Sequence, residues 1–161
     1  MSKEQAVDLN QIKTGGTFLT NVVGSEKVFC KELFSEEEKM IYEAMRDFAT
    51  NELLPLSQNE LNKKDEKLIR KLVEQMGELG FLGIDVPEKY GGSEMTKTGM
   101  CILAEGISFC GSPSFCTVWN VQTSIGSLGI IWYGNDEQKQ KWLPGICSGE
   151  KIAAFGLTEP E

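Results

Sequence analysis

Apolar residues recur at helical spacing along most of this chain, and this pattern limits the possible folds more than any other feature. Ile41, Met45 and Phe48 stand at positions i, i+4 and i+7, which places them on one face of a helix. Ser35 is suited to cap the start of that helix, and Pro55 is suited to end it. The first predicted element is therefore an amphipathic helix.

Two further segments repeat the pattern. A second helix is predicted from about Asp65 to Leu79, where Gly80 follows in the position that favours a left-handed residue. A third is predicted from roughly Thr96 to Phe109, before Gly111 and Pro113 interrupt the periodicity. Both segments predict helices that bury one apolar face.

The stretch from Gly106 to Asn135 contains no charged residue. Polar residues break its apolar runs too often for an easy bilayer span, so an enclosed core helix is the better interpretation. We predict this fourth helix from Pro113 to Tyr133. A fifth helix is predicted to start at Asn135 as its cap and to finish before Pro144.

Helices in succession without alternating strands indicate an all-α fold, a bundle of about five to six helices. Residues 1–33 show no sustained period and are interpreted as a leader, with a short strand proposed at Thr17 to Val23. The helical domain is assigned to residues 34–151. The stretch from Ile152 to Thr158 is the one strong strand candidate in the second half of the chain.

Composition excludes several classes of function. A net charge of −8 without a basic cluster argues against partners such as nucleic acid or anionic membrane surfaces. The chain has no histidine, which removes Ser-His-Asp and Cys-His nucleophiles and most zinc sites, and no metal site is predicted. Five cysteines without a CxxC pair, and no secretory signal, indicate a reducing, cytoplasmic location.

Two glycines in the uncharged segment carry the first candidate site. Gly126 and Gly129 lie three residues apart inside the predicted fourth helix, and each costs about 1 kcal/mol relative to alanine there. Positions i and i+3 share a face, so the pair would cut a notch that admits another backbone or a thin apolar ligand. Close packing of two helices explains the same pattern equally well.

The last residues of the chain carry the second candidate. A backbone that leaves a strand at Thr158 presents a hydroxyl and N–H groups, which suit a ring system rich in carbonyls. A turn of this composition is also common without any ligand.

Three stretches together resemble the amino-terminal part of the acyl-CoA dehydrogenase family. They are "LGFLGIDVPEKYGG" from Leu79 to Gly92, "YGNDEQKQKWLPGICSGE" from Tyr133 to Glu150, and "IAAFGLTEPE" from Ile152 to Glu161. They occur in the family's order and at its usual separations. The leader, with "GGTFL", and the ungapped helix before Tyr133 resemble the very-long-chain-like branch and its bacterial relatives.

The resemblance implies an enzyme that holds FAD between a helical domain, a middle β-domain and a carboxy-terminal helical domain. Such enzymes form an α,β double bond in an acyl-CoA substrate: a glutamate takes the α-proton and the flavin takes the β-hydrogen as hydride. Electrons then pass to electron-transferring flavoprotein. The family's flavin segment matches Phe155, Gly156, Leu157 and Thr158, and Thr158 is expected to hydrogen-bond the pyrimidine end of the flavin.

The resemblance also places the fatty acyl chain beside the fourth helix, where Gly126 and Gly129 would leave room for a long chain. Residues 152–161 are then the start of a truncated β-domain. No residue here is assigned as the catalytic base, because the family's glutamate lies in the missing carboxy-terminal domain. The chain alone is expected to be inactive, and the full-length protein to be a homo-oligomer, a dimer or tetramer.

Two alternatives stay open. A related flavoenzyme, such as an acyl-CoA oxidase or a flavin monooxygenase, would share the fold but react with oxygen. A non-catalytic helical module would bind a partner or a fatty acyl group without turning it over.

Overall fold

The computed structural model describes residues 31–56, 60, 61, 63 and 65–159. The chain divides into two compact units, Met1–Glu37 and Glu38–Glu161. Every regular element within the described residues is a helix, which confirms the predicted all-α fold. The helices are α1 (Glu36–Phe48), α2 (Glu66–Glu78), α3 (Lys97–Ile107), α4 (Pro113–Thr123), α5 (Leu128–Tyr133) and α6 (Asp136–Cys147). The strand proposed at Thr17 to Val23 lies outside the described residues.

Local capping explains where several helices begin and end. The Asp65 carboxylate accepts hydrogen bonds from two backbone N–H groups at the start of α2, and Gly80 follows the helix with a left-handed φ of 78°. The Asn135 side chain accepts from the N–H of Gln138 at 2.8 Å, and the Gln138 side chain accepts from the N–H of Asn135 at 2.9 Å; this capping box begins α6 at the predicted cap. These boundaries are confirmed.

The predicted fourth helix is wrong in one respect, because it is broken into α4 and α5 by a turn over residues 124–127. Ser124 has φ −125° and ψ −103°, outside the helical region, and its hydroxyl donates to the carbonyl of Asn120. Serine side chains compete with the backbone ladder in this way. Gly126 therefore lies in a turn, while Gly129 lies in α5.

The predicted end of the fifth helix is also wrong. Helix α6 passes through Pro144 and continues to Cys147. Proline removes a single N–H donor, and its carbonyl still accepts from Ser148 N at 3.0 Å, so the last turn closes. The length of α6 matters because its last turn faces the chain segment that follows.

The predicted strand from Ile152 to Thr158 is absent, since residues 152–159 carry no regular secondary structure. A strand requires a neighbour to share its hydrogen bonds, and no described residue provides a ladder. The one backbone N–H of this segment that finds a partner, that of Ala153, donates to a side chain instead.

Among the described residues, most buried apolar side chains belong to one of two clusters. The larger, which we call the helical core, joins α1, α2, α3, α4 and the 81–84 loop; its fully enclosed members include Met45, Leu53, Met76, Leu103 and Phe115. The smaller, which we call the C-terminal cluster, consists of Val86, Tyr90, Leu143, Ile146 and Cys147, with Ile130, Ile131 and Ala153 packed against it. The predicted site residues all lie beside the C-terminal cluster or beyond it.

Candidate functional site

One buried side chain holds the segment after α6 against α4. Gln122 is fully buried, and its Nε2 donates to the carbonyls of Ile146 at 3.0 Å and Lys151 at 2.8 Å. Its Oε1 accepts from the backbone N–H of Ala153 at 2.7 Å. A carboxamide supplies two donors and an acceptor, so this side chain is satisfied without water. The chain from Ile146 to Ala153 is thereby tied to the uncharged helix.

Beyond Ala153 the chain is exposed. Phe155 and Leu157 expose 60% and 68% of their surface, Gly156 and Thr158 are exposed, and none of the four makes a hydrogen bond to another described residue. The structure thus places the four predicted flavin residues in one continuous stretch with apolar side chains, available backbone groups and a hydroxyl. Such a stretch fits one edge of a flat ring system that carries hydrogen-bonding atoms.

Gly126 has a packing role in the turn between α4 and α5. A Cβ atom at this position would lie 2.8 Å from the carbonyl oxygen of Val121 and 2.9 Å from the Cβ atom of Ala153. Its N–H donates to Val121 O at 2.9 Å. The absence of a side chain therefore lets the chain after α6 approach the turn; this neighbour is a non-helical segment and not the second helix of the packing alternative.

Gly129 differs from Gly126, because a Cβ atom there would meet no atom within 4 Å. The two glycines line separate depressions. The one at Gly126 measures about 550 Å³ and the one at Gly129 about 250 Å³, and Ile130 and Trp142 line both. The expected single notch is wrong, since a turn interrupts the helix and each glycine lines its own depression.

The larger depression combines an apolar floor with charged groups at its edge. Gly126, Ile130 and Ile146 contribute to the floor. At the edge, Arg70 Nη1 donates to Glu150 O at 3.3 Å, and Lys151 Nζ lies 3.5 Å from Glu150 Oε1. The cations are thus already engaged by Glu150.

A hydrogen bond between Tyr90 and Asp136 anchors the other side of the C-terminal cluster. The buried Tyr90 donates from Oη to Asp136 Oδ1 at 2.5 Å, and Lys89 Nζ lies 3.4 Å from the same oxygen. The Tyr90 hydrogen bond, and then the Lys89 charge, lower the pKa of Asp136 below its usual value. This pair fixes the first turn of α6 to the loop before α3.

Sequence reasoning missed Gln122 and the Tyr90–Asp136 pair. A polar amide with a long side chain inside an uncharged segment was the available signal for Gln122, because a buried amide must find partners. The partners themselves are distant in sequence, so the pattern could not identify them.

Three negative findings apply to the part of the chain that the structure describes. No group of three or more His, Cys, Asp or Glu side chains there is arranged to hold a metal ion. None of the helices in those ranges combines the length and apolar character needed to cross a membrane. The four cysteines among these residues, Cys101, Cys110, Cys116 and Cys147, are free thiols.

Known proteins that are similar to this chain include acyl-CoA dehydrogenases. The family described as "Acyl-CoA dehydrogenase, N-terminal domain" matches residues 35–150. A probable acyl-CoA dehydrogenase of Bacillus subtilis (strain 168) is 41% identical over 149 residues, which make up 92% of this chain and 25% of that protein. The mitochondrial short-chain specific acyl-CoA dehydrogenase of Homo sapiens is 36% identical over 125 residues, 78% of this chain and 30% of that protein.

Among solved structures, a crystal structure of an acyl-CoA dehydrogenase complexed with FAD from Bacillus anthracis matches with a TM-score of 0.79 and 42% identity. The match covers 91% of this chain and 24% of that one. The chain therefore spans about a quarter to a third of the length of these relatives. The human protein is named short-chain specific, and the names of the two Bacillus proteins specify no acyl chain length. These relatives therefore do not support a very-long-chain-like branch.

Proposed function

The chain belongs to the acyl-CoA dehydrogenase family, whose N-terminal domain it contains, and on that premise we propose that it is the helical part of an FAD-dependent acyl-CoA dehydrogenase. The proposed reaction is α,β-dehydrogenation of an acyl-CoA thioester in fatty acid β-oxidation. The family match over residues 35–150 is the observation that carries this proposal. Residues 152–161 are proposed to begin a β-domain, and residues 1–33 to form a leader.

Phe155, Gly156, Leu157 and Thr158 are the residues proposed to contact FAD. Their exposure supports this role, because a ring laid along the segment would cover two apolar side chains and engage available backbone groups. Bound FAD would supply the hydride acceptor. The residues of this chain bind and orient the ring, and Thr158 contributes a hydroxyl; none of them is proposed as the base.

The other parts of the proposal follow from the family. Electron-transferring flavoprotein is the proposed electron acceptor, and the complete protein is proposed to be a homo-oligomer in the cytoplasm. The four free cysteines suit a reducing compartment.

Acyl chain length is the finer part of the proposal. Gly129 has open space where its side chain would be, whereas Gly126 is needed for packing. Of the two glycines, Gly129 is therefore the better candidate for a residue that leaves room for a long acyl group. Gly129→Leu should reduce activity on long acyl-CoA substrates more than on short ones. Equal loss at every length would contradict a role in chain-length selection.

The test of the main proposal uses the protein that carries this sequence, isolated from its source with an antibody against the chain. We expect it to contain FAD, released on denaturation and identified by mass, and we expect anaerobic acyl-CoA to bleach the flavin absorbance. Absence of flavin would contradict the proposal and favour a helical binding module. Bleaching that reverses at once in air would favour an oxidase or monooxygenase.

A further inference from the structure

We propose that Gln122 is a positioning residue that sets the place of the segment Phe155–Thr158 relative to the helical core. This inference rests on the proposed function, because the segment is the one proposed to contact FAD. The observation behind it is the buried side chain of Gln122, which binds three backbone groups before, at and after the turn that leaves α6.

The geometry of the three bonds requires a carboxamide. Ile146 O and Lys151 O each accept from the Gln122 amide N–H groups, and the N–H of Ala153 donates to its oxygen. Glutamate would keep the acceptor and lose both donors, while methionine has a similar length and would lose all three bonds. Lys151 O and the N–H of Ala153 would then lose their hydrogen-bond partner, while Ile146 O would keep the N–H of Gly149 at 3.3 Å.

The backbone of Gln122 belongs to α4, which packs in the helical core. One turn earlier in α4, the buried Trp119 donates from Nε1 to the carbonyl of Phe81 at 3.0 Å. Thr123 Oγ1 donates to Trp119 O at 3.0 Å, so this buried hydroxyl is satisfied within α4 itself. The amide of Gln122 is therefore presented from a rigid element.

On the other side, the hydrogen bond to Ala153 is the last one before the exposed segment. Phe155 follows two residues later, so the chain between them reaches at most about 7 Å. The packing of Ala153 against Gly126 adds a steric contact at the same point. A shift of Ala153 therefore passes directly to Phe155 and Thr158.

The consequence concerns affinity for the ring rather than the chemical step. A segment held in place loses less conformational freedom when a ligand binds. Loss of the Gln122 hydrogen bonds should therefore weaken the binding of FAD. Loss of hydrogen bonds of this kind corresponds to an effect on the order of tenfold in an equilibrium constant.

The first experiment measures amide hydrogen exchange of the whole chain. Without any substitution, the N–H of Ala153 should exchange more slowly than the amides of residues 155–158. In Gln122→Met, exchange over residues 151–158 should accelerate on the order of tenfold or more, while amides of α1 and α2 keep their protection. Gln140→Met makes the same change at an exposed position of α6 and should alter neither region.

Three exchange results would overturn the proposal. They are unprotected Ala153 in the parent chain, unchanged exchange over residues 151–158 in Gln122→Met, and an equal loss of protection in α1 and α2. The comparison within the parent chain remains decisive even where Gln122→Met does not fold.

The second experiment measures the dissociation constant of FAD, by flavin fluorescence, in the isolated protein. Gln122→Met should raise it on the order of tenfold, Gln122→Glu should raise it at least as much because its carboxylate would face two carbonyl oxygens, and Gln140→Met should leave it unchanged. Faster exchange with unchanged FAD affinity would overturn the functional part of the inference. If the protein holds no FAD, the proposed function fails, while the exchange result still decides whether Gln122 positions the segment.

Discussion

The helical core and the C-terminal cluster are stabilised in different ways. The helical core consists of apolar side chains that recur at helical spacing on α1 to α4. The C-terminal cluster has fewer buried apolar residues and depends on hydrogen bonds across the chain, from Gln122 to three backbone groups and from Tyr90 to Asp136. Close backbone approaches at glycines complete it.

The difference separates stability from site geometry. A core of regular spacing tolerates rearrangement of its side chains, because any apolar group of similar volume contributes comparable burial. A cluster joined by directional bonds places its backbone closely, but loses that placement when one partner is removed. The residues proposed to contact FAD come after the C-terminal cluster in the chain, so their placement depends on the region of directional bonds.

The largest expected effect tests whether the helical core dominates stability. Leu103 and Leu143 are both fully buried, one in each region. Leu103→Ala should lower the free energy of unfolding by about 3 to 5 kcal/mol, and Leu143→Ala by about 2, because the smaller cluster lies beside open depressions and can collapse. Urea denaturation followed by circular dichroism measures both. A larger loss for Leu143→Ala would reverse the comparison.

A second prediction compares two helical glycines. A Cβ atom at Gly77, in α2, would lie 2.2 Å from the carbonyl oxygen of Ser148, just after α6. Gly77→Ala should therefore destabilise the chain by about 1 to 3 kcal/mol despite the better helix propensity of alanine.

Gly129→Ala is its matched control, because the added methyl group would meet open space. It should raise the free energy of unfolding by about 0.5 to 1 kcal/mol. Thermal and urea unfolding of both variants test the pair. Stabilisation by Gly77→Ala would show that α2 and the turn after α6 are not packed as described.

A third, smaller effect concerns pH. The Tyr90 hydrogen bond is the largest cause of the lowered pKa of Asp136. A carboxylate with a lowered pKa adds stability above its unfolded pKa, near 4, and that stability is lost as the pH falls through the folded value. Tyr90→Phe should therefore lower the urea midpoint at neutral pH, and the difference should shrink below about pH 4.

Asp136→Asn provides the control for that prediction, because it removes the titrating group. Its stability relative to the parent should converge at low pH in the same way. A midpoint difference for Tyr90→Phe that is as large at pH 3 as at neutral pH would assign the effect to packing of the ring and not to the Asp136 carboxylate.

The smallest effect is one of reactivity rather than stability. Burial raises the pKa of the Cys116 thiol to about 12 and that of Cys147 to about 11, while Cys101 is exposed. Iodoacetamide near neutral pH should modify Cys101 before Cys116 and Cys147, because the thiolate is the reactive form. Mass spectrometry of peptides measures the order, and unfolding in urea should remove it. Early modification of Cys147 would show that the C-terminal cluster opens readily.

Periodicity and capping chemistry predicted most of the fold. Helix α2 needed only its apolar stripe, Asp65 and Gly80, and α6 needed only Asn135 and Gln138 to define its start. These are interactions between residues a few positions apart, so the pattern carries them. The break at Ser124 and the passage of α6 through Pro144 depend on backbone hydrogen bonds that propensity does not resolve.

The site residues also divide into those that local sequence patterns identified and those that depend on distant contacts. The segment Phe155–Thr158 was found through its resemblance to a family, and its exposure is as described above. The role proposed for Gly126 changed, because a side chain there would meet Val121 O, five positions earlier, and Ala153, 27 positions later in the chain. Gln122 was not found, since its partners lie 24, 29 and 31 residues away.

Order along the chain was enough to establish an all-α domain of the acyl-CoA dehydrogenase type, since helical spacing, caps and short motifs act over a few residues. Which backbone meets Gln122, and which glycine makes room for a neighbour rather than a ligand, emerged from packing between distant segments. Such contacts leave no periodic trace, because each joins residues whose separation in sequence is arbitrary.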